Sequence, residues 1–508
     1  MSLFRRYLPV LVCGLVLSGT GLAATPLDQV PNGRGVRFSG TGSDQFGAAV
    51  AGLGDLNNDG FSDLAVGAPA TNRTGASAVG AVHVFFGSTS PVNLATTALN
   101  GSNGFTLTAS TLPANSGLGL EVAAAGDLND DGVNDLVVGS NANIAPQSSV
   151  NAVWVLFGRT TPFPAIVDVS SLSGSTGFAI AAEFSTDQLG QPRTLGGEGD
   201  FNGDQITDLV LGAPGRASGG RAYLLLGRST AFPAALSLTT LTATTGAVLS
   251  TATGGTLGES VAIGARINND ELAELVVGNR NGANTAGVAY TVYGRGTPLN
   301  PVSVDGLDGV SGFAVVGEAT GALGGRALSL PGDIDGDGPD DLAIGAPGAS
   351  GNNGAVYLVY GNFAGLESAF SASTLDGSNG FILTGASGEQ LGGEVARIGD
   401  RNSDALLDIA VLAAAADPNG VSNAGRVYVR YGAAAPTAAS VTAASLDNPT
   451  RGEVYDGVRS NGGNMDLAGI GKFDADQRSD LAVGVPAGSE VFVILRAQGE
   501  QVFRNGFE

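Results

Sequence analysis

The sequence predicts an all-β fold, a β-propeller with one blade for each of seven sequence repeats, and three observations lead to this prediction. An acidic string of the form Asp-x-Asn-x-Asp-x-x-x-Asp recurs seven times in stricter or looser versions, and its final acids are 66 to 73 residues apart. Such a period is too long for a helical solenoid and fits a four-stranded blade with its loops. With 81 glycines among 508 residues and only 14% charged residues, the composition favours short strands and tight turns over long helices.

Residues 1–24 have the features of a cleaved signal peptide. Arg5 and Arg6 precede an apolar run from Tyr7 to Leu17, and the segment from Gly21 to Ala24 offers small residues for cleavage. The run is too short to span a bilayer, and no later segment reaches about 18 continuous apolar residues. A short membrane anchor is the alternative. We therefore expect a secreted, periplasmic or cell-surface protein whose mature chain has no transmembrane segment.

Charge and cysteine content exclude several classes of partner and site. The formal net charge is -23, which disfavours nucleic acid and anionic membrane surfaces as partners. The only cysteine, Cys13, lies within the predicted signal peptide, so the mature chain has neither disulfides nor thiolate metal sites. An exported chain of this kind depends on its core and on oxygen-ligated metals for stability.

Each repeat carries further strand signals in a fixed order after the acidic string. A strand-like segment ending in glycine comes next, and in most repeats a strand beginning Gly-Phe follows, as at Gly104-Phe105 and Gly177-Phe178. The segments ending in glycine are Gly80–Gly87, Asn151–Gly158, Gly220–Gly227, Gly287–Gly294, Gly354–Gly361 and Gly425–Gly432. Four strand signals therefore repeat in every unit.

The repeats also carry a family resemblance. The pair Phe46-Gly47, the acidic loop and Gly67-Ala68-Pro69 resemble the FG-GAP repeat, the unit of the integrin α-subunit N-terminal propeller and of many bacterial exported proteins; Gly212–Pro214 and Gly345–Pro347 repeat the ending. The resemblance covers residues 31–496 and implies a seven-bladed β-propeller.

In the strand order that the resemblance implies, Val36–Ser39 is the outer strand of the last blade. It completes the segment from Asp480 to Arg496 and closes the ring without an open edge. Residues 497–508 follow the last blade as a C-terminal tail. A frayed terminus or packing latch and a short sorting or anchoring tag are the alternatives for this tail.

The acidic loops are predicted calcium sites. Ca²⁺ takes six to eight oxygen ligands, and a tight loop aims carboxylates from alternate positions at one point. Positions 1, 3, 5 and 9 of each loop would supply side chains, and position 7 a backbone carbonyl. An EF-hand needs a glutamate at position 12, but Val66 and Val138 hold that position in apolar strands. The pattern therefore indicates a strand-loop-strand site, which the resemblance also implies.

Five loops keep every ligand position, and we expect about five Ca²⁺ ions per chain. The predicted ligands are Asp55, Asn57, Asp59, Phe61 and Asp63; Asp127, Asn129, Asp131, Val133 and Asp135; Asp200, Asn202, Asp204, Ile206 and Asp208; Asp333, Asp335, Asp337, Pro339 and Asp341; and Asp400, Asn402, Asp404, Leu406 and Asp408. Solvated acidic turns are the alternative. Gln205 and Ala405 replace glycine at position 6, where a side chain costs on the order of 1 kcal/mol. The loop with four side-chain aspartates should attract the metal most strongly.

Two loops depart from the pattern at position 1, where Arg266 and Lys472 replace aspartate. We expect these loops not to bind calcium. Our hypothesis is that the side-chain charge pairs with the remaining acids and preserves the turn without metal.

The resemblance implies a binding or adhesion module for an extracellular protein or glycan, and we expect a monomer. Five segments fall on the rim opposite the calcium loops, and their Asn, Ser, Gly and Ala content equally describes solvated turns. They are Ala68–Val79, Ser140–Val150, Asn279–Ala286, Ala346–Asn353 and Leu412–Ala424. Arg73, Arg216 and Arg280 are candidate ligand contacts.

Enzymatic activity is not expected from this sequence. His83 is the only histidine, and it lies among strand residues, which favours a structural role. Of the 47 acidic residues, 16 are side-chain ligands of the predicted calcium loops. A polysaccharide-acting hydrolase or lyase on the propeller scaffold is the main alternative, and a purely structural surface component is another.

Overall fold

The computed structural model describes residues 24–30, 35–143, 151–268, 270–296, 301–318, 327–362, 366–434, 437–476 and 478–495. The predicted signal peptide, apart from Ala24, and the predicted tail at residues 497–508 lie outside the described residues, as do residues 144–150 of one opposite-rim segment.

Seven β-sheets form the seven-bladed propeller that the sequence predicts. Each blade contains an antiparallel meander of four strands, and the first strands line a central channel. In order from the first strand, the blades comprise Ala49–Gly52, Leu64–Ala68, Ala81–Phe85 and Gly104–Thr108 (blade 1); Glu121–Gly126, Asp135–Asn143, Asn151–Leu156 and Gly177–Ala181 (blade 2); Leu195–Gly199, Asp208–Ala213, Arg221–Leu225 and Gly246–Ser250 (blade 3); Val261–Ala265, Glu274–Asn279, Val288–Val292 and Gly312–Val316 (blade 4); Ala327–Gly332, Asp341–Ala346, Ala355–Val359 and Gly380–Thr384 (blade 5); Leu391–Gly399, Asp408–Ala413, Arg426–Arg430 and Gly452–Asp456 (blade 6); and Asp466–Gly469, Leu481–Val485, Glu490–Ile494 and Gly35–Ser39 (blade 7).

Every sheet also has a fifth, parallel strand that the four-strand prediction did not include. It comes from the next blade and pairs with the outer edge of the preceding one. In six sheets it lies where the chain passes from the third to the fourth strand of that next blade, and in blade 6 it is the N-terminal segment that precedes Gly35–Ser39. From blade 1 to blade 7 these strands are Ile166–Asp168, Ala235–Ser237, Val302–Ser303, Ala369–Ser371, Ser440–Thr442, Thr25–Pro26 and Leu94–Ala95. With two or three residues each, they are too short to give a periodic sequence signal. They join each blade to its neighbour.

The remaining elements are short helices. A 3-10 turn follows each fifth strand, at Val169–Ser171, Leu238–Thr240, Val304–Gly306, Ala372–Thr374, Ala443–Leu446, Leu27–Gln29 and Thr96–Ala98. The α-helical turns Gly282–Thr285 and Ala349–Asn352 and the 3-10 turns Pro418–Gly420 and Pro486–Gly488 lie between second and third strands. Within the part of the chain that the structure describes, no helix has the length and apolar character needed to cross a membrane.

The N-terminal segment closes the ring at two blades. The strand predicted at Val36–Ser39 is present as Gly35–Ser39, an outer strand of blade 7 that pairs antiparallel with Glu490–Ile494. Thr25–Pro26 additionally pairs with the outer strand of blade 6, so the paired region of the ring starts before residue 31. Blade 7 thus combines strands from the first and last parts of the repeat array. Each of these strands is paired, so the closed ring exposes no open strand edge there.

The core consists of apolar clusters between neighbouring blades, which explains why the second strands have no alternating pattern. Leu64–Ala68, for example, is buried at every residue because both faces of the blade contact a neighbour. Repeated aromatic pairs lie between blades: Phe105 stacks on Phe163 and Phe178 on Phe232, each with ring centroids 4.4 Å apart. These pairs contribute specific geometry in addition to apolar burial.

Blade 6 contains an internal ion pair that the sequence analysis missed. Arg401, at the second position of its acidic loop, is 1% exposed, and its Nε lies 2.9 Å from Glu453 Oε2. Its Nη1 donates to the carbonyl of Ile494 in blade 7 at 3.0 Å. Burial alone would raise the pKa of Glu453, but Arg401 and the hydroxyls of Tyr431 and Tyr455 lower it to about 2. This pair therefore links blade 6 to the strand at which the ring closes.

Candidate metal centres

The acidic loops all connect the first and second strands of their blades, and so they lie on one face of the ring. The second and third strands are antiparallel neighbours, as in the pairing of Ala68 with Ala81. Their hairpins therefore lie on the opposite face, as the sequence predicts. The described parts of the five candidate binding segments share that face.

The ninth residue of the five predicted loops is a buried anchor for the loop. Asp63 is 0% exposed; its Oδ2 accepts a hydrogen bond from the amide of Leu56, and its Oδ1 from the amide of Gly87 beyond the third strand. The same two contacts recur in the other four loops, at 2.7 to 3.1 Å throughout. The equivalent aspartates are Asp135, Asp208, Asp341 and Asp408. This acid thus holds the loop against the third strand, a role that the sequence analysis did not assign to it.

The first aspartate of these loops organises the backbone. Asp55 accepts hydrogen bonds from the amides of Asp59 and Gly60, at 2.9 and 2.7 Å. The sixth residue takes a left-handed conformation, with φ of +92° at Gly60, +69° at Gln205 and +73° at Ala405. The position expected to be strained by a side chain is therefore left-handed in the structure. The amides of Gln205 and Ala405 still reach the first aspartate, at 2.7 and 2.9 Å.

Side chains at positions 3 and 5 are tied to each other. Asn57 Nδ2 donates to Asp59 Oδ2 at 2.9 Å, and Asp59 Oδ1 accepts from the amide of Phe61 at 3.0 Å. The same arrangement occurs at Asn129 and Asn202, among others. The structure thus brings the predicted side chains of each loop together in one turn. That they ligate calcium, with the carbonyls of Phe61, Val133, Ile206, Pro339 and Leu406, stays a prediction.

The blade 5 loop concentrates the most acidic charge. Ligand atoms of Asp333, Asp335 and Asp341 all lie within 4.8 Å of one another. Burial, reinforced by the neighbouring aspartates, raises the pKa of Asp335 to about 6 and that of Asp341 to about 8. An all-oxygen set of crowded carboxylates suits a hard divalent cation, and Ca²⁺ in particular accepts such ligands. The residues present therefore fit the predicted metal.

The loops of blades 4 and 7 lack the first aspartate, and their remaining acids have different surroundings. Among the described residues Arg266 makes no ion pair, so the side-chain pairing that we hypothesised is not seen at blade 4. In blade 7, Asp476 Oδ2 and Asp480 Oδ1 are buried without a hydrogen-bond partner in the described structure. The ninth acids, Glu274 and Asp480, are still 0% exposed.

The single histidine is a core residue of blade 1. His83 is 7% exposed, its Nδ1 lies 3.0 Å from the Thr106 hydroxyl, and its ring packs on Phe46. Burial lowers its pKa to about 4, so the imidazole is neutral at physiological pH. This is the structural role that the sequence favours for it.

The three arginines predicted as ligand contacts have different surroundings. Arg73 donates to the carbonyls of Ser110 and Leu112. Arg280 pairs with Glu259 at 3.2 Å. Arg216 pairs with Glu183 at 3.0 Å and borders a cavity. Sequence reasoning did not find the other residues of that cavity, because they come from three separate chain segments.

Comparison with known proteins supports the repeat assignment. The family model described as "FG-GAP repeat" matches residues 46–85, 195–225 and 324–359, which correspond to parts of blades 1, 3 and 5. Each match includes an acidic loop that keeps all four side-chain positions.

Several curated proteins are similar to parts of the chain. Integrin alpha-3 of Cricetulus griseus is 40% identical over 110 residues, which is 22% of this chain and 9% of that protein. Integrin alpha pat-2 of Caenorhabditis elegans is 30% identical over 228 residues, 40% of this chain and 17% of that protein. Phosphatidylinositol-glycan-specific phospholipase D of Bos taurus is 31% identical over 173 residues, 33% of this chain and 18% of that protein. The matched region thus spans less than a fifth of each relative. The chain therefore carries FG-GAP repeats, folded into a seven-bladed β-propeller like that at the N-terminus of integrin α subunits.

Proposed function

We propose that the chain is an exported calcium-binding propeller that acts as a binding or adhesion module for an extracellular protein or glycan. The calcium-binding part of this proposal rests on the loop geometry that is repeated in five blades. Each loop places four oxygen-bearing side chains in one turn, and the blade 5 loop brings three carboxylates within 4.8 Å. Ca²⁺ supplies positive charge that offsets the repulsion between these groups.

In this proposal the residues at positions 1, 3, 5 and 9 of each loop hold one ion through their side chains, and position 7 contributes its carbonyl. The ion stabilises the loops because it binds the folded state and has no comparable site in the unfolded chain. Its role is structural, and it keeps the metal-bearing face of the ring in one conformation.

The binding part rests on similarity and on the position of the loops. Integrin α subunits are among the similar proteins, and the face opposite the metal loops is built from hairpins that differ between blades. Variable loops on a rigid scaffold commonly form binding sites. We propose that the protein acts as a monomer in a secreted, periplasmic or surface location, with residues 1–24 as its signal peptide.

A hydrolase is the second candidate, because a phospholipase D is also among the similar proteins. The name of that relative refers to phosphatidylinositol-glycan. The acids and arginines of this chain are also compatible with a polysaccharide hydrolase or lyase. A purely structural surface component is the remaining alternative. Release of sugar or lipid products from a supplied substrate would favour the enzyme; saturable binding without product favours the module.

Native mass spectrometry of the purified protein, paired with thermal melts in Ca²⁺ and in chelator, tests the metal part. We expect about five ions per chain and a large drop in melting temperature on chelation. Zero or one ion without a shift would overturn calcium binding. Binding to arrays of glycans and cell-surface proteins, in Ca²⁺ and in chelator, then tests the adhesion part.

A further inference from the structure

A cavity of about 360 Å³ opens on blade 3, on the face opposite the metal loops. Three chain segments form it: the connection from blade 2, the hairpin between the second and third strands, and the end of the fourth strand. The side chains used below are Phe184, Thr186, Arg216, Ser218 and Arg221. We call this cavity the blade 3 pocket.

Two arginines that line the blade 3 pocket are positioned by acids outside its lining. Glu183 Oε2 lies 3.0 Å from Arg216 Nη2 and 3.1 Å from Arg221 Nη1. Asp187 Oδ1 lies 3.8 Å from Arg216 Nη1. Each guanidinium has five N–H donors, and these contacts leave several of them for another acceptor. The pocket therefore presents two pre-oriented guanidinium groups, whose charge Glu183 and Asp187 partly neutralise.

The aromatic ring of Phe184 lies at the edge of the blade 3 pocket. Phe184 is 52% exposed, which is the largest exposed fraction of any aromatic side chain in the described ranges. The guanidinium of Arg216 lies 3.8 Å from its ring centroid. This contact fixes the plane of both groups. An exposed apolar ring beside a cavity is typical of a binding site.

The polar network behind the pocket is incomplete. Asp187 is 0% exposed, and its Oδ2 accepts from the amide of Phe184 at 2.9 Å. Its Oδ1 has no hydrogen-bond partner in the described part of the chain. Asp187 does not line the pocket itself, and a buried acceptor of this kind is usually satisfied by water. The hydroxyls of Thr186 and Ser218 add further donors and acceptors to the lining.

We propose that the blade 3 pocket binds one carboxylate-bearing sugar unit, a uronic-acid type residue, of an acidic glycan. The planar guanidinium matches a carboxylate through paired hydrogen bonds. The free face of Phe184 contacts the apolar face of the sugar ring, and the hydroxyl side chains bind its hydroxyls. The cavity volume admits a single sugar unit. This inference rests on the proposed binding function and names its ligand class and site.

The test measures binding of a hyaluronan tetrasaccharide, which carries glucuronate, to the full calcium-loaded chain by titration calorimetry. Neutral chitotetraose is the matched probe without carboxylate. We expect saturable binding of the acidic probe and at least tenfold weaker binding of the neutral one, since a charge-assisted hydrogen bond contributes that much discrimination. Equal affinity for the two probes would overturn the proposal.

Phe184→Ala and Arg221→Gln are the pocket variants, chosen because both side chains are partly exposed and Arg216 stays paired with Glu183. Each should weaken binding about tenfold or more at an unchanged melting temperature. Arg280→Gln is the control, because Arg280 lies on the same face of blade 4 in a similar ion pair with Glu259. Unchanged affinity in both pocket variants would overturn the proposal.

The same samples separate this proposal from the proposed function. If the chain binds other glycans or proteins and the pocket variants bind them equally well, the pocket assignment is wrong and the adhesion module stands. If the calcium-loaded chain binds no ligand on any array, both are wrong. Ion counts from native mass spectrometry decide the calcium sites independently of either result.

Discussion

The acidic loops of blades 1, 2, 3, 5 and 6 begin with aspartate, whereas those of blades 4 and 7 begin with a cation. This contrast separates the residue that anchors the loop from the residue that is expected to bind metal. The ninth acid is 0% exposed in all seven loops, including the two with a cation. Its presence therefore reflects the fold, because it accepts amide hydrogen bonds that hold the loop in place. The first residue differs between the two sets. In blade 4 the left-handed turn is also missing, since Glu271 at its sixth position is not left-handed; the sixth position of blade 7, residue 477, lies outside the described residues. We therefore propose that position 1 decides whether a loop binds metal.

The largest effect is expected where an aspartate-first loop meets a cation-first loop. Burial raises the pKa of Asp480 of blade 7 to about 8, and Arg401 of blade 6 lies close enough to offset part of this rise. Arg401→Leu should cost about 3–4 kcal/mol of unfolding free energy, because Glu453 then stays largely buried without its cation. Urea denaturation measures the change.

The double variant Arg401→Leu with Glu453→Phe provides the matched control. It introduces into blade 6 the apolar pair that blade 1 has at the equivalent positions, where Leu56 and Phe105 belong to one core cluster. We expect it to recover most of the loss, since well-packed apolar residues often replace a buried ion pair without cost. Equal instability of the single and double variants would contradict this account.

Removal of the ninth acid is expected to lower the unfolding free energy by about 2–3 kcal/mol, a smaller loss than that at Arg401. Asp341→Ala deletes two hydrogen bonds and leaves the buried amides of Ile334 and Gly361 without their acceptor. The loss should persist in chelator, because it does not depend on metal. Asp480→Ala is the comparison, since Asp480 Oδ1 has no hydrogen-bond partner in the described structure and less is lost. A loss seen only in calcium would show that the ninth acid is a ligand alone.

The fold was largely predictable because its signals repeat. Seven copies of one string fix the period, and a period near 70 residues with four strand signals leaves few architectures. The N-terminal strand at Gly35–Ser39 followed from the family's strand order. The fifth strands were not predictable, because pairs such as Thr25–Pro26 have no periodicity and take their conformation from the neighbouring blade.

A candidate site could be predicted only where one short segment supplies all of its side chains. Each of the five predicted ligand sets comes from nine consecutive residues, so spacing alone brings its side chains together. Arg401 and Glu453 are 52 residues apart, and each reads in isolation as a surface charge. Phe184 and Arg221 meet in the blade 3 pocket through the packing of three segments. Such sites depend on tertiary contacts that no local pattern encodes.

A gain of metal is expected from Lys472→Asp, which completes the acidic set of blade 7 with Asp474, Asp476 and Asp480. The two buried oxygens without partners, on Asp476 and Asp480, would then face a full set of ligands. Native mass spectrometry should count one more ion than in the unchanged chain, and saturating calcium should raise stability by about 2–3 kcal/mol at 100 times the dissociation constant.

Arg266→Asp is the control for that gain. Blade 4 has a glutamate at position 9 and lacks the left-handed sixth residue, so we expect no additional ion there. Asp55→Lys should do the reverse in blade 1 and remove one ion. An unchanged ion count in Lys472→Asp would mean that position 1 does not decide binding, and the contrast between the two sets of loops would then need another cause.

The smallest effect concerns pH in the cation-first loop of blade 4. Burial, with Asp270 and Asp340 nearby, raises the pKa of Glu274 to about 8 from an ordinary value of 4.5. Between these values the folded state holds a proton that the unfolded state has released, so this group's contribution to stability is present at low pH and is lost as the pH rises towards 8. Glu274→Gln keeps an acceptor for the amide of Ile267 and removes the charge. In saturating calcium it should stabilise the protein by about 1 kcal/mol at pH 8 and have little effect at pH 5.

Asp208→Asn, in an aspartate-first loop, should instead destabilise the protein at pH 8 in calcium because a ligand charge is lost. If both variants responded to pH in the same direction, Glu274 would behave as a metal ligand, and the two sets of loops would share one chemistry.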